Sequence, residues 1–421
     1  MRRMDKEDRA SWSLFWLCFA VYVVVSMAKS VYSASIASIV SEGLFQKAEA
    51  GIISSAFYLL YGGGQLFGGK FIDRTSPILL LSISIGGSIL AVIGMGLAES
   101  FTAMLIIWIL GGFVQFAVWP AVLRILAEYL LPMHRQRAMT YISFAYAIGM
   151  LLNYVMATVV LEFFTWRMLF FVEAAILCLV FLAWVCVAKR TTTILKEANS
   201  TYKPLRYQKG EEKTEKKESV GTVKLILTSG VFFMLVPAFV RCCLDLGVKT
   251  WVPTMIMESY SGISASFATM LTTILVVINL AGVFIVNYMY PRYIKNAALA
   301  FAMCFLVSLP FTALLLLTGK ISVWLIVAML VVITTMMYAG NRMIVVIIPS
   351  FFTEYGRVGS VAGIINAIAS FGAVVSNYGY GLLAEKFGWN GTIISWIILA
   401  VVAVILSCAS VPRWKKFTNE G

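Results

Sequence analysis

Lys209-Gly-Glu-Glu-Lys-Thr-Glu-Lys-Lys-Glu218 places eight charges in ten residues. A segment of that composition cannot bury a core, so it reads as a solvated linker, and its surroundings decide the fold. The polar stretch around it runs from Lys189 to Lys224. On both sides the chain is overwhelmingly apolar: 61% of the 421 residues are hydrophobic, 13% are charged and the mean hydropathy is +0.89. Apolar runs long enough to cross about 30 Å of hydrocarbon as helices mark a polytopic membrane protein. No period-2 alternation suggests a barrel. The first six runs lie near 12–36, 50–71, 77–97, 102–130, 137–160 and 167–187. The second six lie near 225–248, 264–288, 297–318, 320–345, 360–383 and 391–411. The expected architecture is all-α, with twelve transmembrane helices in two pseudo-symmetric six-helix bundles, 1–188 and 225–421, joined by a cytoplasmic linker, 189–224.

Charge placement predicts orientation. Of the 33 lysines and arginines, 23 fall on segments that are inside if both termini are inside, and four fall outside: Lys47, Arg167, Lys320 and Lys386. Without the linker the ratio is still 13 to four. The expectation is a plasma (inner) membrane protein with both termini cytoplasmic. The same bias accounts for most of the net charge of +13 without nucleic acid as a partner. The seven cysteines all sit in apolar spans and read as small buried hydrophobes. The single histidine, His134, reads as part of a short basic loop, which leaves no histidine metal site. The run Trp12 to Ile39 is too long for a signal-peptide core, so no cleaved leader is expected.

The halves repeat. Arg137 opens a span that passes Gly149 and Asn153-Tyr154 and reaches Glu162-Phe-Phe-Thr-Trp166. Arg357 opens one that passes Gly372 and Asn377-Tyr378 and reaches Glu385-Lys-Phe-Gly-Trp389. From the glycine onward the offset is 223 or 224 residues, which favours a duplication. Two parallel six-helix halves are the layout of major facilitator transporters, with a substrate site at the midplane.

Gly68-Gly-Lys-Phe-Ile-Asp-Arg74 resembles the signature loop of that superfamily, which implies that Asp73 and Arg74 latch helices in one state. Gly111-Gly-Phe-Val-Gln-Phe-Ala-Val-Trp-Pro120 with Arg124, Asp73-Arg-Thr-Ser-Pro77, Trp251-Val-Pro-Thr254 and Phe387-Gly-Trp389 together resemble the organophosphate:phosphate antiporter family. The resemblance spreads from Lys29 to the last span. It implies a phosphoryl-binding cation on the first helix, and counting back from Asp73-Arg74 puts Lys29 there. Lysine keeps the charge but lacks the bidentate fork of arginine. The family's second arginine lies six residues before Trp-x-Pro-Thr, where this chain has Asp245; Arg241 is one turn earlier. Tyr146 stands where those transporters have a histidine. Gln65 replaces a lysine of the glycerol-3-phosphate carriers.

Charges inside apolar spans are costly, at least about 2.5–3.5 kcal/mol each on insertion scales, and mark functional sites by default. Arg241, Asp245 and Lys249 are spaced i, i+4, i+8 and form one stripe. Two readings stand open: a ladder that only stabilises its helix, or an anion site whose carboxylate holds a cation until substrate competes for it. A third role for Asp245 is to carry a coupling proton. Arg342, near the inner end of the tenth span, either snorkels to the interface or gates. Arg124 and Glu128 form an i, i+4 pair expected to strengthen one closed state. Glu173 lines a vestibule or pairs with Arg167. Tyr22, Tyr32, Tyr58, Tyr61, Tyr146 and Tyr154 are the phenols best placed for a pocket. The expected substrate contacts are Lys29, Arg241, Tyr146, Tyr32 and Gln65; coupling or ion pairing falls to Asp245 and Lys249, and gating to Asp73, Arg74, Arg124, Glu128 and Arg342.

The sequence therefore points to a secondary active transporter for a small organic anion, such as an organic phosphate exchanged for inorganic phosphate, working by alternating access. A proton-coupled symporter of sugar acids or other carboxylates is the first alternative. A transporter-like ligand sensor for a two-component system is the second. No nucleotide-binding loop, metal cluster or nucleophile motif occurs, so the expectation is a non-enzyme without a cofactor, monomeric and surrounded by lipid.

Overall fold

The computed structural model describes residues 6–67, 69–199, 221–318, 322–352, 355 and 357–418. The linker centre, Lys209 to Glu218, and the outer Lys320 lie outside the described residues, as does the side chain of Asp73. The described residues form helices α1 (Lys6–Ser41), α2 (Lys47–Phe67), α3 (Gly69–Arg74), α4 (Pro77–Leu97), α5 (Phe101–Gln115), α6 (Val118–Tyr129), α7 (Pro132–Ile142), α8 (Ala145–Phe163) and α9 (Trp166–Asn199). They continue with α10 (Thr222–Ser229), α11 (Val231–Cys242), α12 (Val248–Ser259), α13 (Ala265–Met289), α14 (Ala297–Thr318), α15 (Val323–Arg342), α16 (Ile348–Ser350) and α17 (Val358–Thr418).

Ten helical stretches among these residues are long and apolar enough to cross a bilayer. The last, Ser360–Thr418, has 59 residues. At 1.5 Å per residue that is about 90 Å, roughly three bilayer cores. It does not run straight: Gly388 adopts φ 66°, ψ −177°, a left-handed conformation that favours glycine, and breaks the helix into two spans. The 21-residue α2 is more polar, diluted by Lys47, Glu49, Gly62-Gly-Gly64 and Gln65, yet spans about 30 Å. With it the count reaches twelve.

Local chemistry starts and stops these helices. Pro77 opens α4, where its missing N–H costs nothing. Ser100 and Ser264 cap α5 and α13 by accepting from the amides of Ala103 and Phe267. The sixth span outruns its expected end near 187: α9 continues to Asn199, and the hydroxyls of Thr191, Thr192 and Thr193 bond back to the carbonyls of Val187, Ala188 and Lys189 within it. His134 is not in a loop. It lies within α7, buried, with its ring 2.9 Å from Asp8. The cysteines split: Cys18, Cys242, Cys243 and Cys304 are buried, whereas Cys178, Cys186 and Cys408 sit on the outer surface of the chain.

The chain divides into two compact units, Met1–Ser35 with Leu60–Glu212, and Ile36–Leu59 with Lys213–Gly421. Each contains one copy of the repeat, and the copies pack alike. In the first unit a Cβ on Gly149 of α8 would overlap the carbonyl oxygen of Val23 on α1. In the second, a Cβ on Gly372 of α17 would lie 2.5 Å from the carbonyl oxygen of Phe239 on α11. Both glycines let two helix backbones touch. Gly149→Val should therefore strain the α1–α8 contact by about 1–3 kcal/mol and lower the melting temperature of the detergent-purified protein. Gly63→Ala, which meets open space, should not lower it.

Within the second unit the Ile36–Leu59 hairpin packs against α12 and α17. Gly51 lies against the backbone of Asn377, and the hydroxyl of Ser55 donates to the carbonyl of Val374 at 2.6 Å. Lys47 donates to both oxygens of Glu258 at 2.8 Å, and the Trp389 indole donates to the same carboxylate. Glu385 accepts from the amide of Ala48 near the start of α2.

Candidate functional site

In the first unit Lys29 on α1 is half-buried. Its Nζ stands 3.6 Å above the ring of Tyr61 on α2 and 5.8 Å from that of Tyr146 on α8. Aromatic faces attract an ammonium by about 0.5–2 kcal/mol and carry no formal charge, so the rings orient the cation without cancelling it. Gln65, also half-buried, lies one turn beyond Tyr61 on the same helix. Tyr32 stands apart from this group. It is 1% exposed and packs on Trp108, with centroids 5.6 Å apart. Tyr22 packs tilted against Trp119, with centroids 4.8 Å apart.

In the second unit the predicted ladder exists. Arg241, Asp245 and Lys249 are 6%, 6% and 3% exposed. Asp245 forms an ion pair with Lys249 through Oδ1, and its Oδ2 is 3.6 Å from Nη1 of Arg241. Two cations thus share one carboxylate, and Nε of Arg241 is buried without a hydrogen-bond partner. The helix between them is not uniform. Cys243–Gly247 forms a π-helical turn joining α11 to α12. On an α-helix, residues eight apart drift by about 80° around the axis. A wider turn takes part of that drift back, so the three charges share a face.

Facing Lys249 is a residue that sequence reasoning missed. The ring of Tyr338 on α15 lies 5.5 Å from Nζ of Lys249. Its only signal in the sequence is spacing: it stands four residues before Arg342. Arg342 ends α15, where another π-helical turn, Met343–Ile347, begins, and its Nε is also buried and unbonded.

The model of the Major Facilitator Superfamily matches residues 18–376. The chain belongs to that superfamily. It is a multi-pass membrane transporter. The probable hexose phosphate transport protein of Chlamydia trachomatis is 22% identical, over 95% of this chain and 90% of the relative. The glycerol-3-phosphate transporter of Bacillus subtilis is 21% identical, over 86% and 83%. Among solved structures, a bacterial homolog of the human lysosomal transporter Spinster, in an inward-facing, unoccupied conformation, superposes with a TM-score of 0.78 at 14% identity, covering 99% of both chains. That likeness concerns the fold.

The remaining site residues of this superfamily member fall into structural clusters. Arg124 pairs with Glu128 at 2.8 Å as expected. Its guanidinium also donates to the carbonyls of Ile72 and Thr75, satisfying carbonyls at the C-terminal end of α3. Arg74 is exposed. Arg167 does not pair with Glu173. It donates to the carbonyl of Ala98 at 2.9 Å and stacks over Trp166. Glu173 is 0% exposed with both oxygens unbonded, so it lines no open vestibule in this structure.

Proposed function

We propose that this transporter exchanges a small phosphate ester for inorganic phosphate, with Lys29 and Arg241 as the cationic contacts and Asp245 as a counter-ion. Tyr146 and Gln65 complete the contacts around Lys29, with Tyr32 behind them. Arg342 and the Asp73–Arg74 segment govern gating. The carrying observation is the cation excess of one buried stripe, Arg241 and Lys249 on the single carboxylate of Asp245, together with a second cation, Lys29, set against π faces. An anion that brings its own charge relieves that excess. Relatives that transport hexose phosphate and glycerol-3-phosphate, aligned over most of the chain, support the substrate class. No catalytic step is part of the proposal. The domains are assigned to 1–188 and 225–421, and the protein acts as a monomer in the plasma membrane.

The test is reconstitution of purified protein into phosphate-loaded liposomes. Labelled glycerol phosphate or hexose phosphate should enter in exchange for internal phosphate, with or without an uncoupler. Uptake that collapses with an uncoupler would establish the proton symporter instead. Specific binding without flux would establish the sensor.

Both termini are placed in the cytoplasm on the lysine and arginine bias. In a background with the seven cysteines replaced, a cysteine at Lys47 should label only from outside intact cells. One at Lys415 should label only after permeabilisation. The reverse pattern would invert the topology.

A further inference from the structure

The second unit holds a buried neutral side chain, Asn279, that has no part in the proposed ion chemistry. Asn279 on α13 is 2% exposed. It meets the hydroxyls of Thr334 and Thr335 on α15 at 2.9 and 3.1 Å. The contact is possible because Gly282, nearly a turn along α13, has no side chain. A Cβ there would lie 2.5 Å from the carbonyl oxygen of Thr335. The two helices therefore touch, and the amide reaches both threonines.

One end of that amide is left over. The Thr334 hydroxyl has a single proton and lies 2.8 Å from its own helix carbonyl, Leu330 O, as well as 2.9 Å from the amide. If it donates to Leu330 it accepts from Asn279 Nδ2, and Oδ1 is the free end. If it donates to Asn279 Oδ1, then Nδ2 is the free end, as placed here. Either way, half of a buried amide has no partner. A buried polar group left unpaired carries its full desolvation penalty, and a ligand that pairs with it removes that penalty. A hydroxyl fits either orientation, because it both donates and accepts.

The position links the amide to the cations. Thr334 precedes Tyr338 by four residues on α15, a rise of about 6 Å. Tyr338 in turn faces Lys249 at 5.5 Å. One stripe of α15 thus runs from a neutral hydrogen-bonding end to a cationic end. A phosphorylated polyol has the same polarity: hydroxyls at one end, an anion at the other.

We propose that Asn279, held by Thr334 and Thr335, recognises a carbon-borne hydroxyl of the substrate and so sets the preference for phosphorylated polyols over simple alkyl phosphates. This rests on the phosphate-exchange reading of the same site. Exchange of labelled phosphate in proteoliposomes, inhibited by glycerol phosphate or by propyl phosphate, separates the two. The wild-type protein should prefer glycerol phosphate by about tenfold or more, the discrimination expected when a buried polar group loses its partner. Asn279→Leu, which removes the amide at similar volume, should abolish that preference while leaving phosphate self-exchange within about twofold. Thr334→Val, a milder change that frees the amide, should reduce the preference part-way and serves if the leucine variant folds poorly. Equal inhibition by the two esters in wild type, or an unchanged preference in both variants, overturns the inference alone. Absence of phosphate exchange in wild type overturns the parent reading and this one with it.

Discussion

Lys29→Ala is expected to lower phosphate-ester exchange by about a hundredfold or more while leaving the amount of folded protein nearly unchanged. The separation of the two effects follows from what surrounds the ammonium. Tyr61 and Tyr146 present neutral rings, which are left without a buried charge when the cation is removed. Deleting the side chain forfeits a cation–π contact of about 0.5–2 kcal/mol, a modest loss for the fold. For an anion the same deletion removes a full charge where water is scarce. Lys29→Arg should retain part of the activity, since the charge persists but its shape over the Tyr61 ring differs. Transport, expression and melting temperature should be measured on the same preparations. A normal rate in Lys29→Ala would remove this residue from the site.

Asp245→Asn is expected to impair both exchange and accumulation, again by about a hundredfold, and also to destabilise the protein. Asp245 contacts both Lys249 and Arg241, all three nearly out of reach of solvent. Breaking a buried pair leaves an uncompensated charge, at a cost of about 3–5 kcal/mol. Here one substitution removes the carboxylate that two buried cations share. Asparagine keeps the shape and one acceptor oxygen, so packing alone does not explain a loss. Counterflow between equal pools and gradient-driven uptake should be recorded side by side. Loss of both identifies a counter-ion, as the exchanger requires. Loss of accumulation with counterflow spared would make Asp245 a proton carrier. Retention of both would remove it from the mechanism.

The fold was largely legible because bilayer spanning is a matter of length and hydropathy, and these are local properties. Eleven of the twelve spans announce themselves as apolar runs separated by Pro, Gly or charged turns. Even α2, diluted by three consecutive glycines, is recognisable between Lys47 and the Asp73–Arg74 turn. The duplication was legible too: Gly149 and Gly372 recur in register and make the same backbone contact in their own units. What the sequence hid is pairing at a distance. Lys47 counts as one outer charge in an orientation tally, but its partner Glu258 lies 211 residues away. Tyr338 is one of 18 tyrosines and only its neighbour Lys249 distinguishes it. Asn279 looks like one polar residue in an apolar run until the threonines on α15 are seen to claim half of its amide. Tyr32 is a further case. Its position suggested a pocket phenol, and the sequence did not show that the ring also packs against Trp108, far along the chain.

The π-helical turn at Cys243–Gly247 also changes what distance along the chain means. It acts as a phase shift between two otherwise regular helices. Every side chain beyond Gly247, including Lys249, Trp251 and Thr254, points in the direction that an earlier residue of an unbroken helix would take. Counting back from Trp251 to find the cation therefore assumes a pitch that this helix does not keep. Two transporters with the same motif at the same spacing, only one of them carrying the turn, would offer different side chains to the same ligand. Selectivity in such a helix is adjustable by gain or loss of a single residue, with every charged group in the sequence retained.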